Sequence, residues 1–161
     1  MSKLTLYLNK LIEFILILLM VFLTLCVIWQ VISRYILNSP STITEELSRF
    51  LMIYTCLLGA SYAVGKQKHL SIDLIFSYLS PHKKDMLIII INIIIALFSI
   101  IIFYGGFTLT KNTFSSLQTS PALQIKMGYI YMILPISASI IFYYSICEII
   151  NNIKIHKTNK E

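Results

Sequence analysis

Polar residues in this chain fall in a few short stretches, and long, nearly unbroken apolar segments run between them. Four segments, residues 11–33, 47–64, 86–107 and 128–150, match the ~20 mainly apolar residues that a helix needs to cross a bilayer core. The third is the clearest, because fourteen of residues 87–103 are Ile, Leu or Phe. At about −0.3 to −0.6 kcal/mol each near mid-membrane, they favour insertion strongly enough to carry Asn92. In water so β-branched a run would suggest a strand. In lipid a lone strand leaves its backbone groups unpaired, so a helix is expected. The pattern predicts an all-α membrane protein with four transmembrane helices.

Local signals refine the boundaries. Thr42-Ile43-Thr44-Glu45 has the spacing of a capping box, with Glu45 reaching back to the Thr42 amide. Ser80-Pro81 and Ser120-Pro121 each place a capping hydroxyl before a proline at a first helical position. The predicted helices are therefore about 11–33, 42–64, 81–108 and 122–150, in a single membrane domain spanning residues 1–161. Residues 71–79 are mostly apolar but too short to span, and predict a short interfacial helix on the cytoplasmic surface. Pro135 removes the bond to the Tyr131 carbonyl and predicts a static kink in the fourth helix. Lys3 and Lys10 precede the first apolar segment as in a secretory signal, but that segment exceeds the ~7–15 residues of a signal core. It also lacks a small-x-small cleavage site, so an uncleaved first span is expected.

Composition agrees with a lipid environment. The chain has 161 residues, 57% hydrophobic and 12% charged, against about 25% charged residues in soluble domains. The net charge of +6 comes from basic residues at the ends of apolar runs, where they set topology and meet lipid headgroups; nucleic acid is not an expected partner. With the N-terminus inside, Lys3, Lys10, Lys66, Lys68, Lys83, Lys84, Lys154, Lys157 and Lys160 are cytoplasmic. Arg34, Arg49, Lys111 and Lys126 then lie outside, and nine against four favours both termini inside. Trp29 and Tyr35 fall near the outer end of the first helix, where belt aromatics belong. Cys26, Cys56 and Cys147 each sit in an apolar run, read as small buried hydrophobes; no metal or cofactor site is expected.

Charges near the membrane each need a reason. Glu13 follows Lys10 by three residues, and the plain reading is an interfacial acid paired with that lysine. The sharper reading makes it the carboxylate of a small autonomous proton-coupled exporter. Gln30 and Arg34 share a face at the outer end of the first helix. Glu45, Glu46 and Arg49 open the second, with acids before the base. They form either an exposed surface pair or, with Arg34, a polar cluster that docks a partner. His69 and Asp73 can pair if helical, or serve as cap and headgroup contact. His82 and His156 lie in polar settings. There is no Ser/His/Asp set, glycine-rich phosphate loop, histidine pair facing within the spans or paired carboxylate within one helix core, so an enzyme is not expected.

The ordered string Trp29-Gln30-Val31, Arg34-Tyr35, Thr44-Glu45-Glu46 with Arg49, Gly59-Ala60, Lys68-His69-Leu70 with Asp73, Ser120-Pro121-Ala122-Leu123, Tyr131 and Leu134-Pro135-Ile136 resembles the DctQ-like small membrane subunit of TRAP transporters, the tripartite ATP-independent periplasmic transporters. The resemblance covers about residues 11–150. It implies a bacterial inner-membrane protein whose partner is a large TRAP membrane subunit that carries substrate and sodium sites and moves as an elevator. It further implies a periplasmic substrate-binding protein that delivers organic acids such as C4-dicarboxylates or sialic acids. The small subunit would enlarge the static scaffold, with Trp29, Gln30, Arg34, Tyr35, Glu45, Glu46 and Arg49 as a structural or docking cluster and His69 and Asp73 as an inner-face motif. Small residues Gly59, Ala60, Ser61 and Ala63 would allow close helix approach. Some relatives are fused to the large subunit; this chain ends in a polar tail and is expected to need a separate partner chain.

Overall fold

The computed structural model describes residues 3–66 and 81–158. They form five helices: α1 (Lys3–Tyr35), α2 (Thr42–Gly65), α3 (Pro81–Ser115), α4 (Met127–Tyr131) and α5 (Ile133–Thr158). The segments Thr5–Tyr35, Thr42–Gly65, Met86–Ser115 and Met127–Ile153 are long and apolar enough to cross a membrane. The predicted interfacial helix, with His69 and Asp73, lies outside the described residues.

Helix ends reach further than the apolar runs. α1 begins at Lys3, before residue 11; at ~1.5 Å per residue its 33 residues are about 50 Å long, well beyond a ~30 Å hydrocarbon core. Helical hydrogen bonding continues into the headgroup layer, where polar residues no longer cost insertion energy. α3 likewise continues past residue 108 to Ser115.

The helices lie in a row ordered α1, α2, α5, α3, with the most extensive packing between α3 and α5. A row buries less of each helix than a closed bundle does. α1 and α3 sit at its edges, and only about a tenth or less of their spans is buried within the chain. α1 meets its neighbours along a seam spaced three and four residues apart: Thr5, Asn9, Ile12, Leu16, Leu19, Leu23, Cys26, Gln30 and Ser33.

Large apolar side chains mostly face outward, and among the described residues the largest fully buried side chains are serines: Ser61, Ser99, Ser120, Ser137 and Ser145. Lipid tails are as apolar as Leu, so close backbone approach, rather than apolar burial, holds membrane helices together. Most intramembrane hydroxyls bond a carbonyl three or four residues back, as in Ser99 to Ala96 (2.7 Å) and Thr110 to Gly106 (2.7 Å). Asn92 is satisfied the same way, donating from Nδ2 to the Ile88 carbonyl at 2.9 Å. Three glycines permit tight crossings. A Cβ on Gly65 would lie 2.7 Å from the Tyr144 ring, one on Gly106 2.7 Å from Leu134 Cβ, and one on Gly128 2.6 Å from the Phe114 ring. The small-residue expectation on α2 holds at Ser61, whose hydroxyl reaches the Ser137 carbonyl at 3.3 Å. It does not hold at Gly59, whose added Cβ would meet nothing within 4 Å.

The last span departs from the sequence expectation. Ser120-Pro121 does not start a helix. It opens a turn in which the Gln124 amide donates to the Ser120 carbonyl at 3.1 Å. Proline suits the second position of a turn as well as the first of a helix, so the dipeptide alone does not choose. The helix begins at Met127 and is interrupted at Met132, before Pro135. Pro135 has no amide for the Tyr131 carbonyl, and its ring crowds that carbonyl. The result is a break between α4 and α5. Tyr54 of α2 supports it, its hydroxyl donating to the Tyr129 carbonyl at 2.7 Å.

Candidate interface at the turn end

One end of the row carries the 36–41 and 116–126 connections, and most of the polar residues singled out in the sequence gather there. Both connections pass through left-handed backbone, at Asn38 (φ 49°), Leu117 (φ 51°) and Gln124 (φ 54°). The 116–126 connection is tied by Met127 N–H to Gln118 O (2.9 Å) and Ser120 N–H to Ile125 O (2.8 Å).

The carboxylate of Glu46 holds this connection to α2. Its Oε2 accepts from the Ala122 amide at 2.9 Å and the Leu123 amide at 2.8 Å. An ionised acceptor taking two free amides at the start of a turn makes strong, short bonds. Glu46 thus ties α2 to a connection 76 residues further along the chain.

Gln30 performs the matching task between α1 and α2. Its Nε2 donates to the Thr44 carbonyl at 2.9 Å and to Ser48 Oγ at 2.7 Å. Ser33 Oγ accepts from the Ser41 amide at 3.4 Å, bracing the short connection. The cap of α2 is Ser41, whose Oγ accepts from the Thr44 amide at 3.5 Å. The predicted capping box at Thr42 and Glu45 is therefore corrected by one residue. With the cap at Ser41, Glu45 lies one position beyond capping range and turns along the helix to Arg49 (2.6 Å).

The predicted four-residue charge cluster does not form. Among the described residues Glu45–Arg49 is the only ion pair, with side chains 42% and 71% exposed. Arg34 is exposed and joins neither acid. Trp29 and Tyr35 are exposed too, as interfacial aromatics would be. The expected cluster thus divides into inward braces, Gln30 and Glu46, and outward residues, Trp29, Arg34, Tyr35 and Arg49. Around them Ile36, Leu37, Ile43 and Leu117 leave more than half their surface open.

At the opposite end, where the termini lie, sequence reasoning missed a second set of ties. The Tyr144 hydroxyl donates to Asn9 Oδ1 at 2.7 Å, bringing α5 to α1, while its ring covers Gly65 of α2. Glu13 does not pair with Lys10. Its Oε2 accepts from the Tyr62 hydroxyl at 3.0 Å, and the Lys66 ammonium sits 5.5 Å from the centroid of that tyrosine ring. Contacts this far apart in sequence leave no spacing signal; the available hint was a polar Asn9 just before the apolar stretch of the seam from Ile12 to Cys26.

Residues 23–155 match the family model described as tripartite ATP-independent periplasmic transporters, DctQ component. A TRAP transporter small permease protein of Haemophilus influenzae is 28% identical over 94% of this chain and 91% of its own length. The sialic acid TRAP transporter small permease protein SiaQ of Vibrio cholerae is 32% identical over 91% of this chain and 84% of its own. The sialic acid TRAP transporter permease protein SiaT of H. influenzae is 39% identical over 48% of this chain, a match that takes up 12% of that much longer protein. These relatives are transporter permeases and not enzymes. The chain is a multi-pass membrane protein that works with a large permease subunit, and it belongs to the DctQ family of TRAP transporter small permease components.

Proposed function

We propose that this chain is a static, non-transporting wall on which the large permease is seated during sodium-coupled import of an organic acid. The observation that carries the reading is the row of helices. Its two broad faces are apolar across most of four spans, whereas an autonomous pathway would enclose a polar route between helices. Among the residues whose side chains are described, no Asp, Glu, Lys, Arg or His is buried. The interior is closed by serine, alanine and glycine contacts, which suit a rigid support.

The wall sits in a bacterial inner membrane with its termini cytoplasmic, a placement supported by the excess of lysine at that end. The turn end then faces the periplasm, where its exposed Trp29, Arg34, Tyr35 and Arg49 offer a surface to the substrate-binding protein. The named relative SiaQ points to sialic acids, and the family resemblance adds C4-dicarboxylates. The exporter reading loses ground, because Glu13 is exposed and meets Tyr62 at the rim of the α1–α2 contact rather than inside an enclosed route.

Detergent extraction of cells expressing the tagged chain with its large permease tests the seating. The expected result is a stable complex retained on the tag. Recovery of the tagged chain alone, with the large permease in the flow-through, would overturn the proposal.

A further inference from the structure

The geometry points to Glu13 as the anionic half of an ion pair between subunits, its partner a Lys or Arg side chain of the large permease. The inference rests on the seating proposed above and assigns one contact within it. Glu13 lies beside the buried α1 seam, on a flank it shares with exposed Leu6, Ile17 and Met20. Among the described residues its carboxylate has one partner, the Tyr62 hydroxyl at 3.0 Å. A carboxylate offers about four acceptor sites, so most of its capacity remains open toward that flank. Neither described cation near it meets it: among the described residues Lys10 forms no ion pair, and Lys66 lies over the Tyr62 ring.

Depth decides what can fill the open sites. Glu13 stands about one helical turn deeper than Lys10. In a phospholipid layer the phosphate lies nearer the core than the headgroup amine, so the lipid group nearest Glu13 is anionic like itself. A basic side chain from an adjoining membrane helix can approach from the flank at that depth, because its long apolar stem lies along apolar surface while its head meets the carboxylate. Tyr62 holds Glu13 in position for it, and Lys66 holds the tyrosine ring.

The test compares wild type, E13Q, E13K and E13D in the tagged complex, washed at low and moderate salt. E13Q is expected to lower retained large permease at least about fivefold and E13K further, with E13D close to wild type. Reversing one Lys or Arg of the permease to Glu should restore retention to E13K. The circular-dichroism spectrum and detergent stability of each variant chain separate loss of docking from loss of fold. Wild-type retention by E13Q and E13K would overturn the inference while leaving the seating intact. Unchanged permease with less co-purified phosphatidylethanolamine in E13Q would also overturn it, assigning the carboxylate to a lipid amine. Failure of the wild-type chain to retain the permease would sink both.

Discussion

Two carboxylates of adjacent sequence have unlike roles. Glu46 takes the Ala122 and Leu123 amides, while Glu45 meets only the exposed Arg49. Replacing Glu46 with Ala should cost about 1–3 kcal/mol, because two amides lose a charged acceptor. Hydrogen exchange at Ala122 and Leu123 should accelerate correspondingly. Replacing Glu45 with Ala should cost no more than about 0.5 kcal/mol, as exposed helical pairs do. Equal effects of the two substitutions would contradict the assignment. A glycine pair gives a second contrast. G65A places a methyl group 2.7 Å from the Tyr144 ring and should cost about 1–3 kcal/mol of stability in detergent, as overpacking does. G59A meets nothing and should leave the unfolding temperature unchanged. Spacing flagged Gln30, Glu45, Glu46 and Arg49 as a group but did not separate brace from surface pair. Helical neighbours are legible in sequence, whereas a contact from residue 46 to residues 122 and 123 depends on the fold.

Among the elements, the break between α4 and α5 follows from one residue. P135A returns an amide to the Tyr131 carbonyl and removes the ring that crowds it. The two helices should then fuse. Spin labels at residues 129 and 141 should approach the ~18 Å rise of twelve straight helical residues. An unchanged distance would assign the break to Tyr54 and its bond to Tyr129 instead. The four spans were legible because insertion energy depends on composition, which the sequence carries directly. Pro135 carries the same kind of local signal, a missing amide, and the interruption at Met132 lies just before it. The Ser120-Pro121 turn was not legible, since proline serves helix starts and turns alike. The α2 cap moved by one residue because Ser41 and Thr42 are both capping types, and the tie from Ser33 Oγ to the Ser41 amide came from another helix.

For the whole molecule, apolar runs identify spans but not their arrangement, since lipid-facing and partner-facing surfaces are equally apolar. The row became visible only through its contacts: α2 and α5 in the middle, α1 and α3 at the edges. Among the described residues such a row presents two wide faces and encloses no polar route, as the proposed supporting role requires. Cysteines placed at Asn38 and Gln118 should react with an impermeant thiol reagent from the periplasmic side; reaction only after the membrane is opened would reverse the orientation. The most direct test of a supporting, non-transporting role is uptake into sodium-free proteoliposomes under an inward sodium gradient. The substrate would be the organic acid bound by the cognate binding protein, which is supplied outside. The account predicts no uptake with this chain alone and robust uptake once the large permease is reconstituted with it. Substrate accumulation by this chain in the absence of the large permease would contradict it.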